Sequence, residues 1–364
     1  MTGTRTAYGE PLLHVDNLRV RFGRRGQEQF AAVDGITFDV APGQTVGLVG
    51  ESGCGKSVTS LAIMRLLPER GNTVTGSVRF AGEDLLTISA ARMRDRRGAD
   101  LAMIFQDPLS SLNPVVPLGI QVTEVLERHK GMKRETARSR AVELLDKVGI
   151  PDPDRRLVDY AHQLSGGMRQ RALIAMALAC EPRLLIADEP TTALDVTIQA
   201  QILALLKELV SESGTALIMI THDLGVVAGL CDEVHVLYGG RIVERSTRHE
   251  LFATPRHPYT GGLLASIPRL DDPRGRRLRP VPGSVVDNIP WEQGCAFAPR
   301  CSSEIAECRT RTPELVADGA VTGDRLLRCH NPLPPDGGTL VRDEVAHDDE
   351  LARDDGDRTT TEAD

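Results

Sequence analysis

Hydrophobic and polar residues alternate near the start of the chain, and this alternation predicts strands. The segments 12–22 (LLHVDNLRVRF) and 35–40 (GITFDV) both follow the pattern. A Pro–Gly turn at 42–43 then leads into an apolar stretch at 45–49 (TVGLV), which suits a buried strand. Helical spacing covers 57–67. The order predicts a β region that leads into a buried strand and a helix.

Further along, apolar residues form continuous runs instead of alternating. The runs 184–187 (LLIA) and 216–220 (ALIMI) are joined by a helical stretch at 198–211. Continuous apolar strands are typical of a parallel sheet that is covered on both faces, and such a βαβ unit crosses over with a right hand. Helical spacing also dominates 109–180. The pattern predicts an α/β fold with a helical subdomain at about 107–180.

The character of the sequence changes near residue 254. Proline becomes frequent, periodicity fades and four cysteines gather between residues 295 and 329. We expect a main domain at 1–253 and a smaller module at 254–335. The remaining residues, 336–364, have too few apolar side chains to offset their ordering entropy, so we expect a disordered tail.

The formal net charge of −8 is confined to that tail. Residues 336–364 contain eleven acids and three arginines, so the rest of the chain is close to neutral. A neutral body has no basic stripe for a phosphate backbone, and we expect no nucleic-acid partner. No apolar run reaches the roughly eighteen residues of a membrane span, and the N-terminus lacks the layout of a signal peptide. The chain is therefore expected in the cytoplasm.

A glycine-rich loop follows the strand at 45–49 and precedes the helix at 57–67. It fits the phosphate-loop pattern G-x-x-x-x-G-K-[ST], in which backbone N–H groups and a helix N-terminus surround phosphates. The strand and the helix on either side argue against a chance match. The loop residues are Gly50, Glu51, Ser52, Gly53, Cys54, Gly55, Lys56 and Ser57. Lys56 suits the β- and γ-phosphates, Ser57 suits Mg²⁺, and Cys54 suits packing better than chemistry.

Two adjacent carboxylates, Asp188 and Glu189, follow the apolar run 184–187. Phosphoryl transfer needs charge neutralisation and an oriented nucleophile, with little covalent help from the protein. Asp188, at the end of the strand, suits the outer coordination of Mg²⁺. Glu189 projects differently, towards an attacking water. An isolated pair would more often be an exposed turn, but beside a phosphate loop it indicates nucleotide hydrolysis.

Four further segments resemble motifs of the ABC ATPases. The segment 164–171 (LSGGMRQR) resembles their signature motif, although Met168 stands where the family usually has glutamine. Gln106 in IFQDP resembles their Q-loop, 193–195 (ALD) their D-loop, and THD around His222 their switch-histidine motif. The order and spacing of these motifs match those of the family.

This resemblance implies a P-loop NTPase fold with a RecA-like parallel sheet, an antiparallel β subdomain and a helical subdomain. It also implies a head-to-tail dimer with a second ATPase subunit, either identical or a paralogue, that buries two ATP molecules. The signature of one subunit then covers the ATP of the other, and the exposed helix start at 165–167 suits an anion for the same reason as the phosphate loop.

The resemblance also assigns roles to single residues. The catalytic residues that it implies are Glu189, His222 and Gln106. The Mg²⁺ ligands that it implies are Ser57, Gln106 and Asp188. The signature residues that would bind the partner's nucleotide are Ser165, Gly166 and Gly167. The aromatic residue against adenine would be Phe22, with Phe30 as the alternative, although either could be part of the core.

Three other segments resemble the oligopeptide, dipeptide and nickel importers: 106–114 (QDPLSSLNP), 254–268 and 294–301 (GCAFAPRC). The match departs at 283–290, where a further proline is expected. In this branch the ATPase docks on two transmembrane permease subunits at the cytoplasmic face of the cell membrane, and an extracytoplasmic binding protein delivers the substrate. A peptide or a nickel chelate remains possible as substrate, and a non-transport ATPase acting on nucleic acid is a weaker alternative.

Four cysteines of the C-terminal module, Cys295, Cys301, Cys308 and Cys329, are candidate metal ligands. Their spacing lacks the short C-x₂₋₄-C knuckle of structural zinc sites and suits a 4Fe–4S cluster better, with Zn²⁺ or no metal as alternatives. Such a cluster would stabilise a proline-rich module with little core of its own. We expect it to lie remote from the nucleotide.

Overall fold

The structure is a computed structural model of the 364-residue chain. It describes residues 10–23, 30–192, 194–267, 280–285, 293–320 and 324–335. The predicted tail at 336–364 lies outside the described residues, as does most of the segment 283–290. None of the helices within these ranges is long and apolar enough to cross a membrane.

Twelve strands form two sheets. In chain order they are β1 (Leu13–Phe22), β2 (Phe30–Val40), β3 (Thr45–Val49), β4 (Asn72–Phe80), β5 (Glu83–Asp84), β6 (Leu101–Ile104), β7 (Leu184–Asp188), β8 (Ala216–Thr221), β9 (Glu233–Tyr238), β10 (Arg241–Thr247), β11 (Val316–Ala317) and β12 (Leu326–Leu327). The smaller sheet has the order β2-β1-β4-β5 and is antiparallel. It is the antiparallel β region that the alternation at 12–22 and 35–40 predicts.

The larger sheet has the order β11-β12-β10-β9-β3-β8-β7-β6. Its strands from β9 to β6 run parallel, whereas β10, β12 and β11 add to it in antiparallel fashion. Every residue of β7 and β8 is buried, as continuous apolar runs require when helices cover both faces of a sheet. The predicted parallel sheet is therefore confirmed.

Twelve helices accompany these sheets within the described residues. They are α1 (Lys56–Ile63), α2 (Ala90–Arg96), α3 (Pro108–Ser111), α4 (Leu118–Lys130), α5 (Arg134–Lys147), α6 (Pro153–Arg156), α7 (Gly166–Leu178), α8 (Val196–Ser213), α9 (Leu224–Leu230), α10 (Arg248–Ala253), α11 (Pro258–Ala265) and α12 (Ala306–Thr310). Helices α3 to α7 form the helical subdomain. The first helix ends at Ile63 and not at residue 67, because Arg65 has a φ of +50° that a right-handed helix cannot contain.

The segment after residue 253 completes the edge of the larger sheet. In the antiparallel register Leu327 faces Glu244, and Leu326 faces Arg245. Glu244 is fully buried and accepts hydrogen bonds from the backbone N–H groups of Arg256 and His257, both at 2.9 Å. The C-terminal segment is thus bound to the main domain through a shared sheet and a buried carboxylate.

The guanidinium groups of two arginines complete this buried network. Arg325 is 1% exposed and donates to Glu244 at 3.4 Å. Arg256 is 4% exposed and donates to both carboxylate oxygens of Asp318, at 2.7 and 3.4 Å. Buried charges are tolerated only when they are paired, so these residues fix the fold of the segment around β11 and β12.

Candidate functional site

The phosphate loop lies between the end of β3 and the start of α1, as its sequence predicts. Two of its glycines are required by close neighbours. A Cβ atom on Gly50 would lie 2.4 Å from the carbonyl oxygen of Leu237, and one on Gly55 would lie 2.4 Å from that of Ala32. Both residues also have positive φ, at 153° and 102°. Only glycine lets the loop turn this tightly against the sheet.

Lys56 and Cys54 are both held inside the loop. Lys56 is 5% exposed, and its Nζ donates to the carbonyl oxygens of Gly50 at 2.7 Å and Glu51 at 3.0 Å. The Sγ atom of Cys54 is fully buried, and burial raises the pKa of its thiol. Cys54 belongs to the core under the small sheet, which fits the predicted packing role.

The loop meets the predicted carboxylates of the β7 strand. Ser57 Oγ donates to Asp188 Oδ1 at 3.0 Å. Asp188 is 5% exposed, and its pKa is raised chiefly by burial and further by the neighbouring charge of Glu189. A hydroxyl from the first turn of α1 and a carboxylate from the end of β7 are thus hydrogen-bonded to each other. Oxygen ligands of this kind suit Mg²⁺.

Glu189 is held by side chains from three other segments. Gln106 Nε2 donates to Glu189 Oε2 at 3.0 Å, Thr192 Oγ1 donates to the same oxygen at 2.8 Å, and His222 Nδ1 lies 3.2 Å from Oε1. Burial raises the pKa of Glu189, but the hydrogen bonds from Thr192 and His222 outweigh it, so the net shift is downward. The carboxylate is therefore ionised and oriented. Its backbone has a φ of +46°, a left-handed conformation that is uncommon outside glycine.

Glu189, Gln106 and His222 line one cavity of about 460 Å³ together with the start of the phosphate loop. Six of its lining residues are among those predicted from the sequence: Gly50, Glu51, Ser52, Gln106, Glu189 and His222. Four others come from the C-terminal segment, and the sequence assigned none of them to the nucleotide site: Leu263, Ser266, Pro280 and Val281. Thr192 was also missed, although its spacing of three residues from Glu189 fits a local hydrogen bond. A cavity that joins these polar groups at the ends of parallel strands suits a nucleotide.

The signature residues lie elsewhere on the molecule. Ser165 is exposed and caps α7, where its Oγ accepts a hydrogen bond from the N–H of Met168 at 3.3 Å. Gly166 and Gly167 form the first turn, and Gly167 packs against Ile198 of α8 so closely that a Cβ atom would lie 3.0 Å from it. Within the described part of the chain, the cavity lining includes none of the three predicted signature residues.

The predicted adenine-binding aromatic is at the end of β1. Phe22 is half-buried, lies opposite Phe30 in β2, and packs against the core of the small sheet. Residues 24–29, between the two aromatics, lie outside the described residues. Neither phenylalanine is among the residues that line the cavity in the described ranges. Their role in binding adenine stays a prediction.

Two family models match the chain: "ABC transporter" over residues 33–192, and "Oligopeptide/dipeptide transporter, C-terminal region" over residues 243–308. A protein of Brucella melitensis biotype 1 with the name "Putative peptide import ATP-binding protein" is 52% identical over 330 residues, which cover 88% of this chain and 97% of that protein. The chain belongs to the ABC transporter family. A protein of Brucella abortus, also named a putative peptide import ATP-binding protein, is 49% identical over 324 residues. These cover 89% of this chain and 96% of that protein.

Solved structures of ABC ATPases share the fold. A dimeric ATP-binding cassette in a post-hydrolysis state, bound to ADP and Pi, has a TM-score of 0.58 and 27% identity and covers 65% of this chain and 98% of its own. The cbiO1 protein from Clostridium perfringens, part of an ABC transporter complex, has a TM-score of 0.56 and 28% identity. The match covers 67% of this chain and 91% of that protein. These similarities confirm the predicted P-loop ABC ATPase fold.

The four C-terminal cysteines of this ABC ATPase are free thiols that gather in one region. Burial, together with the nearby thiols of Cys295, Cys301 and Cys308, raises the pKa of Cys329 to about 12. The N–H of Cys295 donates to the carbonyl oxygen of Cys308 at 2.7 Å. Among the described residues, no three histidine, cysteine or acidic side chains are arranged to hold a metal ion. The predicted cluster is therefore not shown.

The C-terminal module contacts the phosphate loop, whereas the expected remoteness of the cluster from the nucleotide stays a prediction. Arg300, the residue before Cys301, donates to both carboxylate oxygens of Glu51 in the phosphate loop, at 2.6 and 2.9 Å. The hydroxyl of Tyr259 in α11 accepts a hydrogen bond from the N–H of Glu51 at 2.9 Å. The sequence could not show this, because 249 residues separate Arg300 from Glu51.

Proposed function

We propose that this ABC ATPase binds and hydrolyses ATP to power the import of peptides through an ABC transporter. The observation that carries the proposal is that the phosphate loop meets the two carboxylates after β7: Ser57 Oγ donates to Asp188 Oδ1 at 3.0 Å, and Glu189 lines one cavity together with Gly50, Glu51 and Ser52. The C-terminal match to oligopeptide/dipeptide transporters and the relatives named for peptide import support the substrate class. The partners are a second ATPase subunit, two transmembrane permease subunits and, indirectly, an extracytoplasmic substrate-binding protein. The chain would act at the cytoplasmic face of the membrane.

The chemistry follows from the positions of these side chains. The buried Lys56 supplies positive charge to the β- and γ-phosphates, and the loop N–H groups at the start of α1 bind the same oxygens. Ser57 and Asp188, with Gln106 nearby, would hold Mg²⁺, which neutralises phosphate charge. Glu189 orients the attacking water and accepts its proton, because its carboxylate is ionised and held by Gln106, Thr192 and His222.

The exposed start of α7 completes the site from a second subunit. The helix N-terminus at Ser165, Gly166 and Gly167 is not part of the cavity lining within the described residues. It suits the γ-phosphate of the partner's ATP. The structurally similar ATP-binding cassette bound to ADP and Pi is a dimer, which supports this arrangement.

Replacing Glu189 tests the proposal directly. Glu189→Gln should lower ATP turnover by about 10²- to 10⁴-fold, the usual contribution of a general base, while ATP binding persists. Steady-state phosphate release and titration with ATP would measure the two effects. The control is Glu143→Gln, which changes an exposed glutamate on α5 that pairs with Arg140. Near-normal hydrolysis by the Glu189 variant would contradict the assignment.

We further propose that Cys295, Cys301, Cys308 and Cys329 hold a 4Fe–4S cluster, with Zn²⁺ as the alternative. The support is chemical: four free thiols, one of them buried, gather in a module with few apolar residues. A cluster would supply cross-links that stabilise this module. Protein purified without oxygen should be brown and contain about four irons per chain, and Cys308→Ser should lose the colour. Stoichiometric zinc, or no metal, would contradict the cluster.

A further inference from the structure

The C-terminal segment contacts the phosphate loop at Glu51. Two contacts meet there. The carboxylate of Glu51 accepts both hydrogen bonds from Arg300, and its backbone N–H donates to Tyr259. Its carbonyl oxygen accepts a hydrogen bond from Lys56 Nζ at 3.0 Å. Glu51 thus joins the C-terminal segment on one side to the nucleotide-binding lysine on the other.

Arg300 is held rigidly before it reaches Glu51. Its side chain is 3% exposed. The guanidinium donates to the carbonyl oxygens of Pro282 at 2.5 Å, Gly283 at 3.0 Å and Val281 at 3.3 Å, and it lies 5.7 Å from the centre of the Tyr238 ring. A planar guanidinium bound on several sides has little rotamer freedom left to lose. The C-terminal segment therefore holds this guanidinium independently of the carboxylate that it contacts, through three carbonyl oxygens.

The segment that carries Arg300 is bounded by two of the cysteines. A 3₁₀ turn at Ala298–Arg300 lies between Cys295 and Cys301, and the N–H of Cys301 donates to the carbonyl oxygen of Ala298 at 3.1 Å. The N–H of Ala298 donates in turn to the carbonyl oxygen of Cys295 at 3.0 Å. A displacement of either cysteine would therefore move Arg300. Arg300 is in turn hydrogen-bonded directly to Glu51 of the phosphate loop.

We propose that Arg300 is a positioning residue for nucleotide binding, which acts through Glu51 to fix the phosphate loop and couples the cysteine module to the ATP site. The inference rests on the proposed ATPase function. The pair joins the buried guanidinium of Arg300, 3% exposed, to a carboxylate of Glu51 that is 30% exposed and lies in the phosphate loop. Its consequence lies in loop geometry, since Lys56 is hydrogen-bonded to the carbonyl group of the same residue.

A double-mutant cycle tests this role. Glu51→Gln and Arg300→Gln should each weaken the binding of a non-hydrolysable ATP analogue with Mg²⁺ by about twofold to thirtyfold, the range for residues that couple to a site without touching its ligand. The double variant should lose no more affinity than the single variant that binds the analogue more weakly, because both substitutions break the same pair. The KM for ATP should rise while kcat stays within about twofold. Arg300→Lys, which keeps the charge, should retain part of the affinity.

The matched control is another ion pair of the same module. Arg309 donates to both carboxylate oxygens of Glu304, at 2.6 and 3.0 Å, but is 75% exposed and faces solvent. Arg309→Gln should leave nucleotide affinity unchanged. Because Arg300→Gln also removes donors from three carbonyl oxygens, limited trypsin digestion would report whether residues after 280 stay folded. If those residues unfold in the Arg300 variant, the test rests on Glu51→Gln alone, because that substitution leaves the donors of Arg300 intact.

Two outcomes would overturn the inference. One is unchanged affinity in Glu51→Gln. The other is a double variant whose loss equals the product of the two single losses, which would mean that the residues act independently. Failure of the wild-type protein to bind or hydrolyse ATP would instead overturn the proposed function. The two failures are therefore distinguishable by the wild-type measurement.

Discussion

At the residue scale, the site depends on hydrogen bonds between segments that are far apart in sequence. Gln106 follows β6, Glu189 follows β7 and His222 follows β8, and the parallel order of these strands brings the three together. Their motifs made these residues predictable. Arg300 lies in the segment 294–301 that resembles the peptide importers, but that resemblance implies no contact with Glu51. The contact depends on the folding of the C-terminal segment, so no local pattern could predict it.

Lys56 should act on binding and not only on turnover. Its charge complements the phosphates in both the ground state and the transition state, so Lys56→Ala should weaken the binding of a non-hydrolysable ATP analogue by at least about tenfold. Titration of the folded protein would measure this. The comparison is Lys147→Ala, which removes a 52%-exposed lysine paired with Glu212 on the surface. An unchanged affinity in the Lys56 variant would show that this lysine is misassigned.

At the scale of elements, periodicity predicted the long strands and helices but not the short ones. The strands β7 and β8 were predictable because five and six consecutive buried residues leave an unambiguous apolar run. The strands β11 and β12 have two residues each, too few for any period. They form because β10 offers an unpaired edge and because buried ion pairs fix the segment beside it.

Breaking one of those ion pairs should destabilise the C-terminal segment. Asp318→Asn leaves the guanidinium of Arg256 buried without its counter-charge, which costs about 3–5 kcal/mol in comparable cases. Urea unfolding would measure the loss. Asp154→Asn is the control, because Asp154 is 74% exposed and its pair with Arg138 should contribute at most about 1 kcal/mol. Equal effects of the two substitutions would contradict the structural role of Asp318.

At the scale of the whole molecule, stability should fall as the solution becomes acidic. Burial lowers the pKa of His257 from 6.5 to about 3. Below pH 6.5 the unfolded chain therefore takes up a proton that the folded chain excludes until about pH 3. The free energy of unfolding should decline through that window by up to about 1.4 kcal/mol per pH unit from this one residue.

Substitution of His257 would measure how much this residue contributes to the change of the free energy of unfolding with pH. His257→Asn keeps a side chain that can cap α11, where the ring nitrogen of His257 accepts from the N–H of Tyr259 at 3.1 Å. Urea unfolding between pH 4 and 7, a range chosen to bracket the roughly 6.5 of a free histidine, should show a shallower decline in this variant than in the wild type. His249→Asn changes an exposed histidine and should keep the wild-type slope. Identical slopes in all three proteins would contradict the prediction.

The edge pairing of β10 with β12 also has a consequence for the state of the chain during its synthesis. Glu244 leaves the ribosome 81 residues before Arg325, its buried cationic partner, and β10 emerges long before β12 can cover it. During that interval the nascent chain carries an open sheet edge beside an uncompensated acid. Translation that stops before Arg325 would leave the nucleotide-binding sheet in this aggregation-prone state, although every residue of the phosphate loop has already been made.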